Sequence, residues 1–331
     1  MGSFLDKITE KMLKPFRGET PPAVSFGAFG KHPGWNDHME GVGLDSEALN
    51  IIRQILYVNG IGGEIDSGAW DNLPEDEVLP EFKHLFFWFC GEDLAAGRMW
   101  SSSDGKGRKR YPMVVCAHYT NTGAENVLPG ILPELESAER ACSSVDTQEA
   151  VVSAIDSIRT RIRSNLAPML SAPPMLRETA GVTASRLGFI PDRDEIYRIL
   201  YCLNNQMGAF ISPNGSSSGT HADMKTLAAS KLLPQHMRLP GDSQHVLNTI
   251  FFWRDFFHKA GIASAPLLFI QPLQGDWLDL IVGTPTKREF FCMKATPKTL
   301  PLVSEVPYTL SDEFKRTART SEPCKDLFQP A

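Results

Sequence analysis

The fifteen residues SFGAFGKHPGWNDHM, from Ser25 to Met39, constrain the fold of this chain more than any other segment. An apolar run of strand length comes first, and Gly30, Pro33 and Gly34 then interrupt it. The pattern therefore predicts a strand that leads into a functional loop. The loop carries more charged and aromatic side chains than a simple connector needs, namely Lys31, His32, Trp35, Asn36, Asp37 and His38.

Apolar segments further along the chain predict a β-meander. Strands are expected at residues 84–90, 98–101 and 113–119, with Gly91 and Gly97 bracketing the turn between the first two. Such consecutive strands favour antiparallel pairing. The later segments with a strand pattern, the last of which also fits a short helix, are residues 267–270, 277–282 and 289–293.

Apolar residues at helical spacing separate and flank these strands. They predict helices at residues 46–57, 147–166, 194–207 and 243–259. Residues 59–80 are expected to form a long loop or short irregular elements, and residues 213–220 a flexible loop. We therefore expect an α/β (α+β) protein with an antiparallel or mixed sheet flanked by helices. The predicted organisation is an N-terminal amphipathic helix in residues 1–20, a main domain in 21–300 with a helical elaboration at about 125–240, and a C-terminal tail in 301–331.

Composition narrows the functional classes. The chain has 331 residues and a net charge of −6, which argues against a nucleic-acid partner because phosphate binding needs a concentrated basic surface. Six cysteines without a C-x-x-C pair predict buried, reduced thiols in a cytoplasmic protein. No apolar stretch is long enough to span a membrane. The helix predicted at residues 4–17 is expected to dock on the body or on a partner, with peripheral membrane contact as the alternative.

Catalytic motifs give no positive support for an enzyme. His32, Asp37 and His38 are residue types of a metal or acid–base site, but their spacing is not that of a helical zinc motif. The preferred interpretation is that His32 and Asp37 hydrogen-bond the backbone of a tight loop. The alternative function is a hydrolase or phosphate-binding enzyme that uses a cluster of His32, Asp37, Arg108 and Arg110. The sequence predicts no cofactor and no metal.

Three segments of the chain resemble the TagF family of proteins associated with type VI secretion. The first comprises Gly30, Lys31, Pro33 and Asp37, with Asn36 where the family usually has glycine. The second comprises Asp104, Gly107, Arg108, Tyr111 and Pro112, with a spacing one residue longer than the family's, so that Arg110 is an alternative to Arg108. The third is the pair Phe252 and Trp253 before the apolar residues 267–270. The chain is identified as an elongated, divergent member.

The resemblance implies a bacterial, non-enzymatic accessory protein of a type VI secretion or related contractile system. Such a protein acts by binding a partner, which in that family is a forkhead-associated scaffold protein, and thereby restrains assembly. We expect Lys31 and Asp37 to lie close to the loop around Arg108–Tyr111. Trp35 either plugs the protein body or anchors an interface. The candidate partner-binding residues are Lys31, Trp35, Asp37, Arg108 and Arg110.

Overall fold

The computed structural model describes residues 21–189, 193–211, 224, 232–262 and 265–327, so the helix predicted in residues 1–20 and the loop predicted at 213–220 lie outside the described residues. Within these ranges eight strands form one sheet in the order β2-β1-β5-β4-β3-β7-β8-β6, and every neighbouring pair is antiparallel. The predicted α/β class is confirmed. The strands are β1 (Ala23–Lys31), β2 (His38–Val42), β3 (Lys83–Cys90), β4 (Asp93–Ser101), β5 (Pro112–Thr120), β6 (Gln235–Pro240), β7 (Leu267–Pro272) and β8 (Trp277–Val282).

Helices cover both faces of the sheet. In the described part of the chain the α-helices are α1 (Glu47–Ile52), α2 (Gly63–Ser67), α3 (Ala124–Ser143), α4 (Gln148–Ser171), α5 (Ala180–Arg186), α6 (Asp194–Gln206), α7 (Val246–Lys259) and α8 (Asp312–Thr320). A π-helix, Arg53–Gly62, joins α1 to α2, and short 3-10 helices occur at Trp70–Asn72, Glu75–Glu77, Gly208–Phe210, Lys287–Met293 and Val303–Glu305.

The sheet separates two hydrophobic cores, because successive side chains of a strand point to opposite faces. Phe87 of β3 belongs to the larger core, which α3, α4 and α7 cover. Its neighbours Phe86 and Trp88 belong to the second core, beneath α1 and the π-helix. Both faces of the central strands are therefore buried.

The sequence explains where helix α4 begins and which of its faces is buried. Thr147 precedes it, and its hydroxyl accepts a hydrogen bond from the backbone N–H of Ala150 at 3.3 Å. Val151, Ile155 and Ile162 then recur on one face and are fully buried. The helix predicted at residues 147–166 is confirmed, and it extends to Ser171.

The predicted role of Gly97 is wrong. This glycine lies inside β4 and pairs with Phe86 of β3, while the turn between the strands is formed at Gly91 and Glu92. A Cβ atom on Gly97 would lie 2.1 Å from the Phe86 ring. The glycine is needed for side-chain packing, and the pattern of turn residues alone cannot distinguish this from a turn.

The structure also differs from the sequence-based prediction in the boundaries of several other elements. His38, expected in the loop, is the first residue of β2, and the helical elaboration predicted at about 125–240 ends in the strand β6. Of the two alternatives for residues 59–80, the structure has the short elements, namely the end of the π-helix, α2 and two 3-10 helices. The tail predicted at 301–331 contains α8, and it buries Ala318, Cys324 and Leu327 in the larger core. These segments are stabilised by distant contacts, which local patterns do not report.

The thiol prediction is confirmed, because all six cysteines are free and buried. Burial also raises the pKa of Cys324 to about 11, which suppresses the reactive thiolate. We expect slow labelling of the native protein by a thiol reagent at pH 7.5 and rapid labelling of all six cysteines in concentrated urea. Rapid labelling of several cysteines without denaturant would contradict this arrangement.

Among the described residues, none of the helices has both the length and the apolar character required to cross a bilayer.

Candidate functional site

Two loops meet at one end of the sheet. The first loop, residues 32–37, follows β1, and the second loop, residues 102–111, precedes β5. Since β1 and β5 are paired, with Gly30 opposite Met113, the end of β1 lies beside the start of β5, and both loops lie at the same end of the sheet. The backbone N–H of Gly105 donates to the Trp35 carbonyl at 2.7 Å and joins the loops directly.

Gly30 allows this close approach. Its φ is +120°, a conformation that side-chain-bearing residues rarely adopt. A Cβ atom there would also lie 2.4 Å from the Pro112 carbonyl oxygen. The glycine therefore sets the direction of the chain as it enters the first loop and lets the backbone of β5 lie against it.

An ion-pair network, formed by Lys31, Asp37, Asp104 and Arg108, connects the two loops. Lys31 Nζ lies 2.8 Å from Asp37 Oδ1 and 2.7 Å from Asp104 Oδ2. Arg108 Nε lies 2.7 Å from Asp104 Oδ2, and its Nη2 lies 3.1 Å from Asp37 Oδ1. The predicted proximity of Lys31 and Asp37 to the loop around Arg108–Tyr111 is therefore confirmed.

The network has a buried base and an exposed edge. The side chains of Lys31 and Asp104 are 3% and 0% exposed, whereas those of Asp37 and Arg108 are 69% and 52% exposed. Because a buried ion pair resists solvent screening, the inner pair can hold the outer one in place. Each exposed charge therefore pairs with a buried one, Asp37 with Lys31 and Arg108 with Asp104.

Asp104 organises the second loop. One carboxylate oxygen accepts hydrogen bonds from the backbone N–H groups of Lys106 and Arg108, at 3.0 and 3.1 Å. Burial alone raises the pKa of Asp104, but the hydrogen bonds from Lys31 and Arg108 outweigh it and hold the pKa well below its usual range. The carboxylate stays ionised wherever the protein is folded near neutral pH.

The structure distinguishes the two arginines that the sequence left as alternatives. Arg108 joins the ion-pair network, and its Nη2 also donates to the Asn36 carbonyl at 3.0 Å. Arg110 pairs with Asp71 instead, at 2.6 Å, and both side chains are mostly exposed. Arg108 is therefore the arginine that belongs with Lys31 and Asp37.

Trp35 is half-buried and packs against the larger core. Its ring meets the His32 ring edge-on, with centroids 5.8 Å apart. One part of the Trp35 side chain is thus buried against the larger core, and the other part is exposed to solvent beside the two loops. Both roles considered from the sequence are compatible with this position.

His32 has a structural position. Its Nδ1 accepts a hydrogen bond from Gly34 N at 3.1 Å, and its Nε2–H donates to the Cys142 carbonyl at 2.9 Å. The prediction that His32 bonds the loop backbone is confirmed, while that for Asp37 is wrong, because the hydrogen bonds of its carboxylate come from Lys31 and Arg108. With both ring nitrogens of His32 engaged and Arg110 paired elsewhere, the four residues of the alternative enzyme site do not converge.

An aromatic group that the sequence analysis did not identify lies beside the network. The Tyr57 hydroxyl is 2.9 Å from His38 Nδ1, and the rings of His38 and Tyr111 meet edge-on with centroids 4.6 Å apart. Burial and then the charge of Lys31 lower the pKa of His38, and burial raises that of Tyr57, so both side chains are neutral at pH 7. The apolar spacing of residues 46–57 predicts only that this part of the helix faces inward, and no local signal links Tyr57 to His38.

A second buried polar cluster lies at the far side of the sheet. His236, Asp279 and Cys292 place potential ligand atoms within 4.8 Å of one another. However, the two carboxylate oxygens of Asp279 accept hydrogen bonds from Arg238 at 2.8 and 2.9 Å. The arginine already supplies the positive charge that a metal would bring, so these residues form a buried salt bridge that does not suit a cation.

Comparisons with known proteins identify no family for this chain. No family model matches it, and no curated protein matches it. The solved structure of PA0076 from Pseudomonas aeruginosa PAO1 is similar over 47% of this chain and 67% of its own length, with 19% sequence identity. Its TM-score is 0.31, and a likeness at this level carries no argument about the present chain.

Proposed function

We propose that this protein is a non-enzymatic regulator that binds a protein partner in the cytoplasm. The system to which it belongs is a type VI secretion or related contractile system, and the partner is a forkhead-associated scaffold protein. The resemblance of two loops to the TagF family is the source of this assignment. The observation that supports it best is the ion-pair network, which joins the two loops and presents Asp37 and Arg108 to solvent side by side.

The distribution of exposure in the network favours binding over catalysis. Lys31 and Asp104 are buried and bonded to each other, so they are engaged in supporting the loops. Asp37 and Arg108 present charge to solvent from that fixed base. A surface that is already ordered loses little conformational entropy when a partner binds. Fixed exposed charges also select partners by electrostatic complementarity.

Titration of the purified protein with a purified forkhead-associated scaffold protein, encoded beside contractile-system genes in the source organism, tests the proposal. Isothermal calorimetry should give a saturable one-site isotherm with a dissociation constant on the order of 1 µM or lower. No heat of binding, together with no co-elution in size-exclusion chromatography at about 50 µM of each protein, which is well above that constant, would contradict the proposal.

Trp35→Ala is expected to weaken partner binding about 30-fold, because half-exposed tryptophans beside charged residues are typical interface anchors. The same change should lower the free energy of unfolding by about 2 kcal/mol, since only part of the ring is buried. Calorimetric titration and urea unfolding measure the two effects separately.

Trp277→Ala is the matched control, because Trp277 is also half-buried but lies in β8, which four strands of the sheet separate from β1. Its affinity for the partner should equal that of the wild type. Equal affinities for the wild type, Trp35→Ala and Trp277→Ala would remove Trp35 from the binding surface.

A further inference from the structure

An open pocket of about 420 Å³ adjoins the exposed edge of the ion-pair network. His38, Tyr57 and Tyr111 supply its aromatic wall, and Glu40, Arg53 and Asp66 supply charged groups around it. The pocket lies between β2, the π-helix, α2 and the two loops, so residues from distant parts of the sequence build it. Of the four residues in the ion-pair network, only Asp37 lines the pocket.

The three rings of the wall support one another. Tyr57 and Tyr111 have centroids 5.9 Å apart, and Tyr57 and His38 have centroids 5.8 Å apart. With the Tyr57 hydroxyl 2.9 Å from His38 Nδ1, the wall is held by both packing and polar contact. An aromatic wall of this kind attracts cations through the negative faces of its rings.

Acidic residues predominate among those that line the pocket, although Lys31 Nζ, outside the lining, lies 5.9 Å from the centroid of the Tyr111 ring. Asp66 makes a 3.4 Å contact with the Tyr111 hydroxyl, and neither Asp66 nor Glu40 forms an ion pair with a residue in the described ranges. Both side chains are exposed. Arg53 is the opposing charge, and Asp37, on the rim, is already shared by Lys31 and Arg108. Carboxylates that have no cation partner complement a positively charged ligand.

We infer that this pocket receives an arginine side chain of the protein partner. Its guanidinium group packs against the Tyr111 side of the aromatic wall and pairs with the carboxylates of Asp66 and Glu40. Arginine suits the site better than lysine because its planar group is weakly hydrated and stacks on aromatic rings while it bonds a carboxylate. The inference rests on the proposed binding function, and it specifies the chemistry that the partner must present.

The test uses Nα-acetyl-arginine methylamide as a probe and the neutral citrulline analogue as its control. Amide signals of Glu40 and Gly62 in the full-length protein, followed by NMR at pH 7, report on the pocket. The arginine probe should give saturable shifts with a dissociation constant on the order of 1 mM. The citrulline probe should bind at least about tenfold more weakly, because it lacks the charge.

Two charge variants test whether the pocket prefers a positively or a negatively charged ligand. Asp66→Asn, an isosteric change at an exposed position, should weaken binding of the arginine probe about fivefold or more. Arg53→Gln removes the opposing charge and should leave the affinity unchanged or increase it. Thermal unfolding of each variant verifies that the protein still folds.

Equal binding of the two probes, no saturable shift with either, or tighter binding in Asp66→Asn together with weaker binding in Arg53→Gln would overturn the inference. The last pattern would indicate an anion site. If the scaffold titration succeeds while the arginine probe fails, the pocket assignment is wrong and the proposed function stands. If both fail, the proposed function is lost as well.

Discussion

Replacement of Lys31 by methionine is expected to lower the free energy of unfolding by about 3 kcal/mol. The Lys31 ammonium is buried and contacts two carboxylates, so its removal leaves a buried negative charge with one cation fewer. Methionine keeps the length and apolar character of the side chain, which isolates the loss of charge. Urea unfolding at pH 7, followed by tryptophan fluorescence, measures the change.

The matched control is Arg110→Met in the same region. Arg110 pairs with Asp71 on the exposed surface, where solvent screens the attraction. This change should alter the free energy of unfolding by less than about 1 kcal/mol. Equal effects of the two substitutions would mean that the buried part of the network does not support the loops.

His84 should make the protein sensitive to mild acid. Burial is the main cause that lowers the pKa of this histidine from 6.5 to about 4, with additional repulsion from Lys294 and Arg238 and an opposing attraction to Asp279. The folded protein therefore favours the neutral ring, and its stabilising contribution is fully present above pH 6.5. The contribution is lost as the pH falls from 6.5 to about 4, because the unfolded chain takes up the proton first, and the loss amounts to about 3 kcal/mol.

Urea unfolding of the wild type and of His84→Gln at several pH values between 7 and 4.5 measures this dependence. The variant should be less stable at pH 7, but its stability should fall less steeply with acid than that of the wild type. His258→Gln, at an exposed position, serves as the control and should retain the wild-type pH dependence. If His84→Gln and the wild type lose stability in parallel, the burial of His84 does not set the acid sensitivity.

Sequence patterns predict the parts of this fold that local chemistry determines. The run from Ala23 to Phe29 and the apolar segments around residues 84–90 and 113–119 are strands because they are apolar over strand length and end at turn residues. Helix α4 is evident from the Thr147 cap and its regular apolar face. The meeting of the two loops is predictable because each adjoins a strand of one sheet.

Other features depend on contacts between residues distant in sequence. The edge strand β2 is short and polar, and pairing with β1 is what makes it a strand. The buried arginine Arg238 is stabilised by Asp279, 41 residues away, so composition alone cannot place it in the interior. Tyr57 is the last residue of the helix predicted at residues 46–57, and only the fold places it beside His38.

The most direct test of the proposed surface compares two arginine substitutions in the same titration with the forkhead-associated scaffold protein. Arg108→Gln removes an exposed charge of the ion-pair network, and Arg316→Gln removes an exposed charge of α8. Unfolding in urea shows beforehand that both variants are folded. The proposed function predicts at least tenfold weaker binding of Arg108→Gln, an expected loss of about 1.4 kcal/mol in binding free energy, with wild-type affinity for Arg316→Gln. Wild-type affinity of both variants would contradict the assignment of this surface as the binding site.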